Sequence, residues 1–334
     1  MVAMIVSTGS KIILWCLAAA GLLGLVLAGM IASPLRAPPE LTSISRTAGA
    51  VDRSTMPGLE RFNARDGTEL AYRHYPARAP GSGQIAVLVH GSSGSSLAVH
   101  ALAKGLAERG VETWAPDIRG HGASGTRGDI GYVGQLEDDL SDFVGLIRKA
   151  SPAAPLTLIG HSAGGGFALR VAGSPILNQF VRTVLLAPYL GYAAPTNRPN
   201  SGGWASADIP RIIALSLLHR IGLECCDALP VVAFAVPRNS GKILVPAYTE
   251  RLRGNFGAHR DFQTDLAAAT KPVIIYSGAD DELMLSDKYA DAVRAVRPGV
   301  DERLIDGVNH MGIVSDPAAV SVIADDLVKA GSSS

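Results

Sequence analysis

Five residues, Gly160-His161-Ser162-Ala163-Gly164, constrain this chain more than any other feature. They directly follow the short apolar run Leu156-Thr157-Leu158-Ile159 and open an Ala/Gly-rich stretch of helical character, Ala163–Ala172. A serine on such a strand-to-helix turn projects its hydroxyl from a tight bend. The flanking glycines permit that strained backbone and let the helix pack closely on the strand. The helix start also offers N–H groups that have no partner within the helix, which suits a developing oxyanion. The five-residue pattern alone is weak, because it arises by chance. Its strand–turn–helix setting makes Ser162 a candidate nucleophile rather than an idle turn serine.

The surroundings carry the same rhythm. From Leu59 onward, short apolar runs alternate with helical patterns, the signature of an α/β domain with a mostly parallel sheet and helices on both faces. The buried-strand candidates are Ile85–Val89, Val111–Ala115, Leu156–Ile159, Val181–Ala187 and Val273–Tyr276, with Arg303–Ile305 last. Helices are expected at Leu97–Arg109, Leu136–Lys149, Ala163–Ala172, Ser286–Val296 and Pro317–Lys329. Asp66-Gly67, between two alternating runs, reads as the turn of an opening hairpin. The stretch from about 191 to 265 breaks the rhythm and is expected to be an inserted helical cap. Within it, Asp208 and Pro210 mark a helix start, and Ile212, Ile213, Leu215, Leu217, Leu218 and Ile221 form an apolar stripe. That stripe either packs the cap onto the domain or forms an acyl pocket or membrane-facing lid.

The amino-terminal part is of a different kind. Ile12 to Ala32 holds 21 residues without a charge, about 31 Å of helix, which approaches the hydrocarbon thickness of a bilayer. Met30-Ile31-Ala32 is a poor signal-cleavage site, and Trp15 before Cys16 argues against lipoprotein processing. Residues 1–36 are therefore read as a tail and a retained single-pass transmembrane helix, ahead of a cleaved signal. Residues 37–58, rich in Pro, Ser, Thr and Arg, read as a linker, and 59–334 as the catalytic domain. Flanking charge barely decides orientation. The short tail favours a catalytic domain outside the cytoplasm.

Composition removes several alternatives. Thirty Lys and Arg balance thirty Asp and Glu, and no block of like charge appears, so no nucleic-acid partner is expected. The three cysteines form no disulfide framework, and adjacent Cys225 and Cys226 read as buried small hydrophobes. CxxC and HExxH patterns are absent, so no metal or other cofactor is expected.

A serine hydroxyl needs an imidazole to take its proton and a carboxylate to hold that imidazole's tautomer. The sheet supplies both at strand ends. Tyr276-Ser277-Gly278-Ala279-Asp280-Asp281-Glu282 follows one strand, and Gly307-Val308-Asn309-His310 follows the last. Among eight histidines, only His310 stands in a loop after the final strand. Asp281 is the candidate acid, although Asp280 and Glu282 adjoin it. His90-Gly91-Ser92-Ser93-Gly94, after the strand Ile85–Val89, is placed to give a second oxyanion donor. The backbone amides of Ser92 and Ala163 are the candidate oxyanion hole, with His90 a structural histidine.

VLVHGSSGSS, PDIRGHGASG, GHSAGG, SGADDE and GVNH together resemble the α/β-hydrolase superfamily, in particular its monoacylglycerol lipase and lysophospholipase-like branch. The likeness runs from about Arg61 to the C-terminus and is weakest across the cap. It implies the order Ser162, Asp281, His310, oxyanion positions at Ser92 and Ala163, and a structural turn at Arg119-Gly120-His121-Gly122. The chain departs from proline-iminopeptidase relatives, lacking their Gly-Gly-x-Gly oxyanion loop and the Trp after the nucleophile. Ser162 also separates it from dehalogenase and epoxide-hydrolase relatives, which use aspartate. The resemblance implies a serine hydrolase acting through an acyl-enzyme on a lipid monoester such as a monoacylglycerol or lysophospholipid. The rivals are a non-lipid esterase, thioesterase, amidase or carbon–carbon hydrolase, and a catalytically silent scaffold that binds a ligand.

Overall fold

A computed structural model of the chain describes residues 2–78, 81–241 and 243–332. In chain order, helices α1 (Val2–Ile31) and α2 (Thr42–Gly49) precede the strands β1 (Glu60–Asn63) and β2 (Glu69–Tyr75). Strands β3 (Ile85–Val89), β4 (Glu112–Pro116), β5 (Leu156–His161) and β6 (Arg182–Leu186) then alternate with α3 (His100–Glu108), α4 (Gln135–Ala150) and α5 (Ala163–Ala172). The inserted segment holds β7 (Ala205–Ala207), α6 (Ile209–Arg220), β8 (Pro230–Phe234), β9 (Ala247–Thr249), α7 (Glu250–Asn255) and α8 (Phe262–Ala268). Last come β10 (Val273–Gly278), α9 (Tyr289–Arg294), β11 (Asp301–Ile305) and α10 (Pro317–Ser332).

The main sheet has eight strands in the order β1-β2-β4-β3-β5-β6-β10-β11. The β1–β2 hairpin joins antiparallel to β4, and every other pairing is parallel. A parallel sheet is covered on both faces, so its strands are continuous apolar runs. All five residues of β3 (IAVLV) and of β6 (RTVLL) are buried. Helix α5 is buried along its whole length, which its Ala/Gly-rich face allows. On α4, Glu137 and Asp138 occupy the first turn and Arg148 and Lys149 the last, matching the helix dipole at both ends. Parallel pairing places the carboxyl ends of β3, β5, β10 and β11 along one rim, where ligands of open α/β sheets bind.

The cap is mixed, where a helical one was expected. Beside α6 it holds a three-stranded antiparallel sheet in the order β7-β8-β9. Its central strand, β8, lies within an apolar stretch of sequence, LPVVAFAV from Leu229 to Val236. Helix α6 starts as its sequence indicates, with Asp208 accepting the Arg211 N–H. Its stripe only partly faces inward. Ala214 and Leu215 are buried, whereas Ile209, Ile213, Leu217 and Ile221, four residues apart, stay exposed. The cysteine expectation also needs correction: Cys225 is exposed and Cys226 half-buried, both on the loop after α6.

Lys11–Ile31 is a helix of mean hydropathy 2.4 with none of its span buried, long and apolar enough to cross a membrane. Its end is tied to the cap. Arg211 Nε donates to the carbonyl of Ile31 at 2.8 Å, its guanidinium also donates to the Ser33 carbonyl, and Ser33 Oγ donates to Asp208 Oδ1 at 2.6 Å. A cation at the helix C-terminus satisfies carbonyls that have no partner within the helix. The segment 37–58 is partly ordered: α2 lies within it, and Ile44 is buried there against the domain.

Candidate active site

Ser162 stands between β5 and α5 with φ +55° and ψ −119°. A non-glycine residue in that region costs about 1–3 kcal/mol and persists only where its surroundings fix it. Here the Ser162 N–H donates to the Leu186 carbonyl at 2.9 Å, and its own carbonyl accepts from Gly166 and Tyr189. The flanking glycines are required by contact. A Cβ on Gly160 would lie 2.1 Å from the Gly164 carbonyl oxygen, and one on Gly164 would lie 2.2 Å from that of His90. Ala163 is the first residue of α5, where an N–H has no acceptor within the helix.

Asp281 and His310 are brought together. His310 Nδ1 lies 2.8 Å from Asp281 Oδ2, with both side chains buried. Asp281 Oδ1 accepts the amides of Leu283 and Met284, each at 2.8 Å. Burial pushes the Asp281 pKa up. The neighbouring His310 and these hydrogen bonds outweigh that, holding it below the usual carboxylate value. An ionised carboxylate only accepts, so His310 Nδ1 carries its proton and Nε2 is left as the acceptor. The adjacent acids separate by position. Asp280 is exposed, and Glu282 Oε2 accepts the backbone N–H of His310 at 2.9 Å.

Ser162 and His310 border one cavity, together with Gly91 and Ser92. Among the described residues no hydrogen bond joins Ser162 Oγ to the imidazole. His161 supports the histidine from below. Its Nε2 donates to the His310 carbonyl at 3.0 Å, and the two rings lie 4.9 Å apart. Burial, reinforced by His310, pushes the His161 pKa down to about 3, so the ring stays neutral. His90 is structural, as expected: its Nδ1 donates to the Gly91 carbonyl and its Nε2 accepts from Ile118 N–H.

The loop after β3 is stitched to the cap. Trp204 Nε1 donates to Ser92 Oγ at 2.9 Å. Ser93, at φ +65°, donates its N–H to the Tyr248 hydroxyl at 2.7 Å and its Oγ to the Val245 carbonyl. The Tyr248 hydroxyl in turn pairs with His121 Nε2. His121 Nδ1 donates to the Arg119 carbonyl, so Nε2 accepts and the tyrosine donates. The Arg119-Gly120-His121-Gly122 turn is therefore structural, with Arg119 also paired to Asp139 and Asp66. Sequence reasoning missed Trp204, Tyr248 and Glu282, because isolated residues on a cap or beside another acid carry no local pattern.

Two cavities of about 110 and 90 Å3 flank Ser162. Both are bordered by Ser92, Trp204 and Leu283. The first continues past Ala163 toward Val232, Phe234 and Phe256. The second continues past His310 toward Ile44, Ala48 and Leu244.

Fold and strained serine turn together define an α/β-hydrolase. Residues 82–317 match the profile described as serine aminopeptidase, S33, and the chain belongs to that family of hydrolases. By sequence it is 30% identical over 105 residues to the monoacylglycerol lipase of Mycolicibacterium smegmatis, a match over 31% of this chain and 37% of that one. The chain spans about half or less of the length of the first sequence relatives it matches. Among solved structures, a soluble variant of the Saccharomyces cerevisiae monoglyceride lipase is similar at TM-score 0.62 and 18% identity, over 84% of this chain and 96% of that one. A bacterial membrane phospholipase A is similar at TM-score 0.55 and 16% identity, over 97% and 98%. At these identities the structural likeness is one of fold.

Proposed function

We propose that the chain hydrolyses carboxylic esters through an acyl-enzyme, from a membrane surface to which α1 anchors it. Ser162 Oγ attacks the ester carbonyl while His310 Nε2 takes its proton. Asp281 holds the imidazole in the required tautomer and balances the imidazolium charge. The amides of Ser92 and Ala163 receive the oxyanion. His310 then gives the proton to the leaving alcohol, and water repeats the sequence to free the acid. The observation that carries this reading is the buried 2.8 Å pair of Asp281 and His310 beside a serine held at a strained positive φ.

Lipid monoesters, such as a monoacylglycerol or lysophospholipid, are the preferred substrates. The apolar cavity linings, the similarity to monoacylglycerol lipase and the exposed Ile209–Ile221 stripe beside α1 support this. An aminopeptidase needs a carboxylate to receive the substrate's amino group. Among the described residues, neither cavity is bordered by Asp or Glu, which favours an ester.

A fluorophosphonate probe tests the reading. The expected result is a single covalent adduct on the peptide bearing Ser162, and absence of labelling under native conditions would overturn it.

A further inference from the structure

Helix α2 was expected to be featureless linker, yet it forms a wall of the active site. Its residues Ile44, Ser45 and Ala48, one face of a helix, border the same cavity as Ser162 and His310. Three contacts hold it there. Ile44 is buried in the main core, and Leu41 N–H donates to the Ala235 carbonyl on the cap at 3.2 Å. Asn309 Nδ2 donates to Thr47 Oγ1 at 2.9 Å, while Asn309 Oδ1 accepts the Gly312 N–H at 2.7 Å. The residue preceding His310 is thus joined directly to α2.

The two cavities beside Ser162 are chemically distinguishable. In acyl transfer the imidazole delivers its proton to the leaving oxygen, so the alcohol portion lies on the histidine side of the scissile bond. The cavity bordered by His310 and Met311 is the one walled by α2. The other is bordered by Ala163 but not by His310, and so lies on the acyl side. The α2-side cavity is lined chiefly by apolar residues, among them Ile44, Ala98, Pro237, Leu244 and Met311.

From this, and resting on the esterase reading above, we infer that α2 walls the leaving-group chamber, and that Ile44 and Ala48 set how large an apolar alcohol the enzyme accepts. The substrate range then extends beyond acyl groups on a small polar alcohol to esters with apolar matter on both sides of the scissile bond. A chamber of this kind discriminates by size at about tenfold per mismatched group.

Two isomeric esters test this with the full chain in detergent micelles. Decyl acetate places its long chain on the alcohol side, and ethyl decanoate places it on the acyl side. Acid release gives kcat/KM for each, and the readout is their ratio. Ile44→Trp should lower the ratio of decyl acetate to ethyl decanoate about tenfold or more. Val232→Trp, in the other cavity, should raise it. Ala48→Phe, at a half-buried position, should act in the same direction as Ile44→Trp and serves if that variant does not fold. A ratio within about twofold of wild type in a folded α2 variant, or a shift of the same sign from Val232→Trp, overturns the proposal. Failure of the wild type to cleave decyl acetate, with Ser162 still taking the fluorophosphonate label, also overturns it and leaves the nucleophile standing. Loss of labelling instead overturns the esterase reading itself.

Discussion

Glu282 Oε2 accepts the backbone N–H of His310 at 2.9 Å, while the preceding residue, Asp281, holds the imidazole of the same histidine at 2.8 Å. Two neighbouring carboxylates thus divide the work of fixing one residue, one on its main chain and one on its ring. Asp280, the residue before them, is exposed, and among the described residues no hydrogen bond joins its side chain to His310.

This division predicts unequal effects. Asp281→Asn should lower kcat on p-nitrophenyl butyrate by about 10^4, because the amide permits the wrong imidazole tautomer. Glu282→Ala should cost about tenfold through looser placement of the histidine. Asp280→Asn should stay within about twofold, as a change at an exposed side chain. Steady-state kinetics of the three variants check the assignment, and a larger loss from Asp280→Asn than from Asp281→Asn would contradict it.

Much of the frame was legible because its signals are local. Strands β3, β5 and β10 are covered on both faces, so each shows as an apolar run, and the hairpin is marked by Asp66-Gly67. The cap was harder to read. Strands β7 and β9 are three residues each, too short for alternation to show, and β8 looks like any apolar run. Helix α2, TSISRTAG, contains one large apolar residue, and only docking against the core and the His310 loop explains its order. Likewise, nothing local distinguishes Asp281 from its neighbours. Burial and the partner His310 separate them, and both belong to the tertiary structure.

Tyr248 ties the cap to the loop after β3, accepting the Ser93 N–H and donating to His121. Tyr248→Phe leaves a buried N–H and a buried ring nitrogen without a partner. The expected loss of stability is about 1–3 kcal/mol, read from urea unfolding. The same change frees the loop that carries the Ser92 amide, so kcat should fall as well. Unfolding indistinguishable from wild type would contradict the bridge.

Stability should decline as the medium is acidified below about pH 6.5, the ordinary histidine value. Burial lowers the pKa of His90, His121 and His161, with His161 pushed down to about 3. The unfolded chain therefore binds more protons than the folded one across the window from about 6.5 down to about 3, and stability is lost as pH falls through it. The lowered pKa of Asp281 acts in the same direction below the usual carboxylate range. Melting temperatures measured from pH 7.5 to 4.5 should decline in wild type and flatten in His161→Gln, whose amide can still donate to the His310 carbonyl. An unchanged slope in that variant would contradict a neutral, buried His161.

The most direct test of the central claim is the rate of p-nitrophenyl butyrate hydrolysis by the wild type and by Ser162→Ala, under conditions where both are folded. Without the Ser162 hydroxyl no acyl-enzyme forms, and kcat/KM should fall by about 10^4 or more. Retention of activity within about tenfold of wild type would place the nucleophile elsewhere and contradict the account.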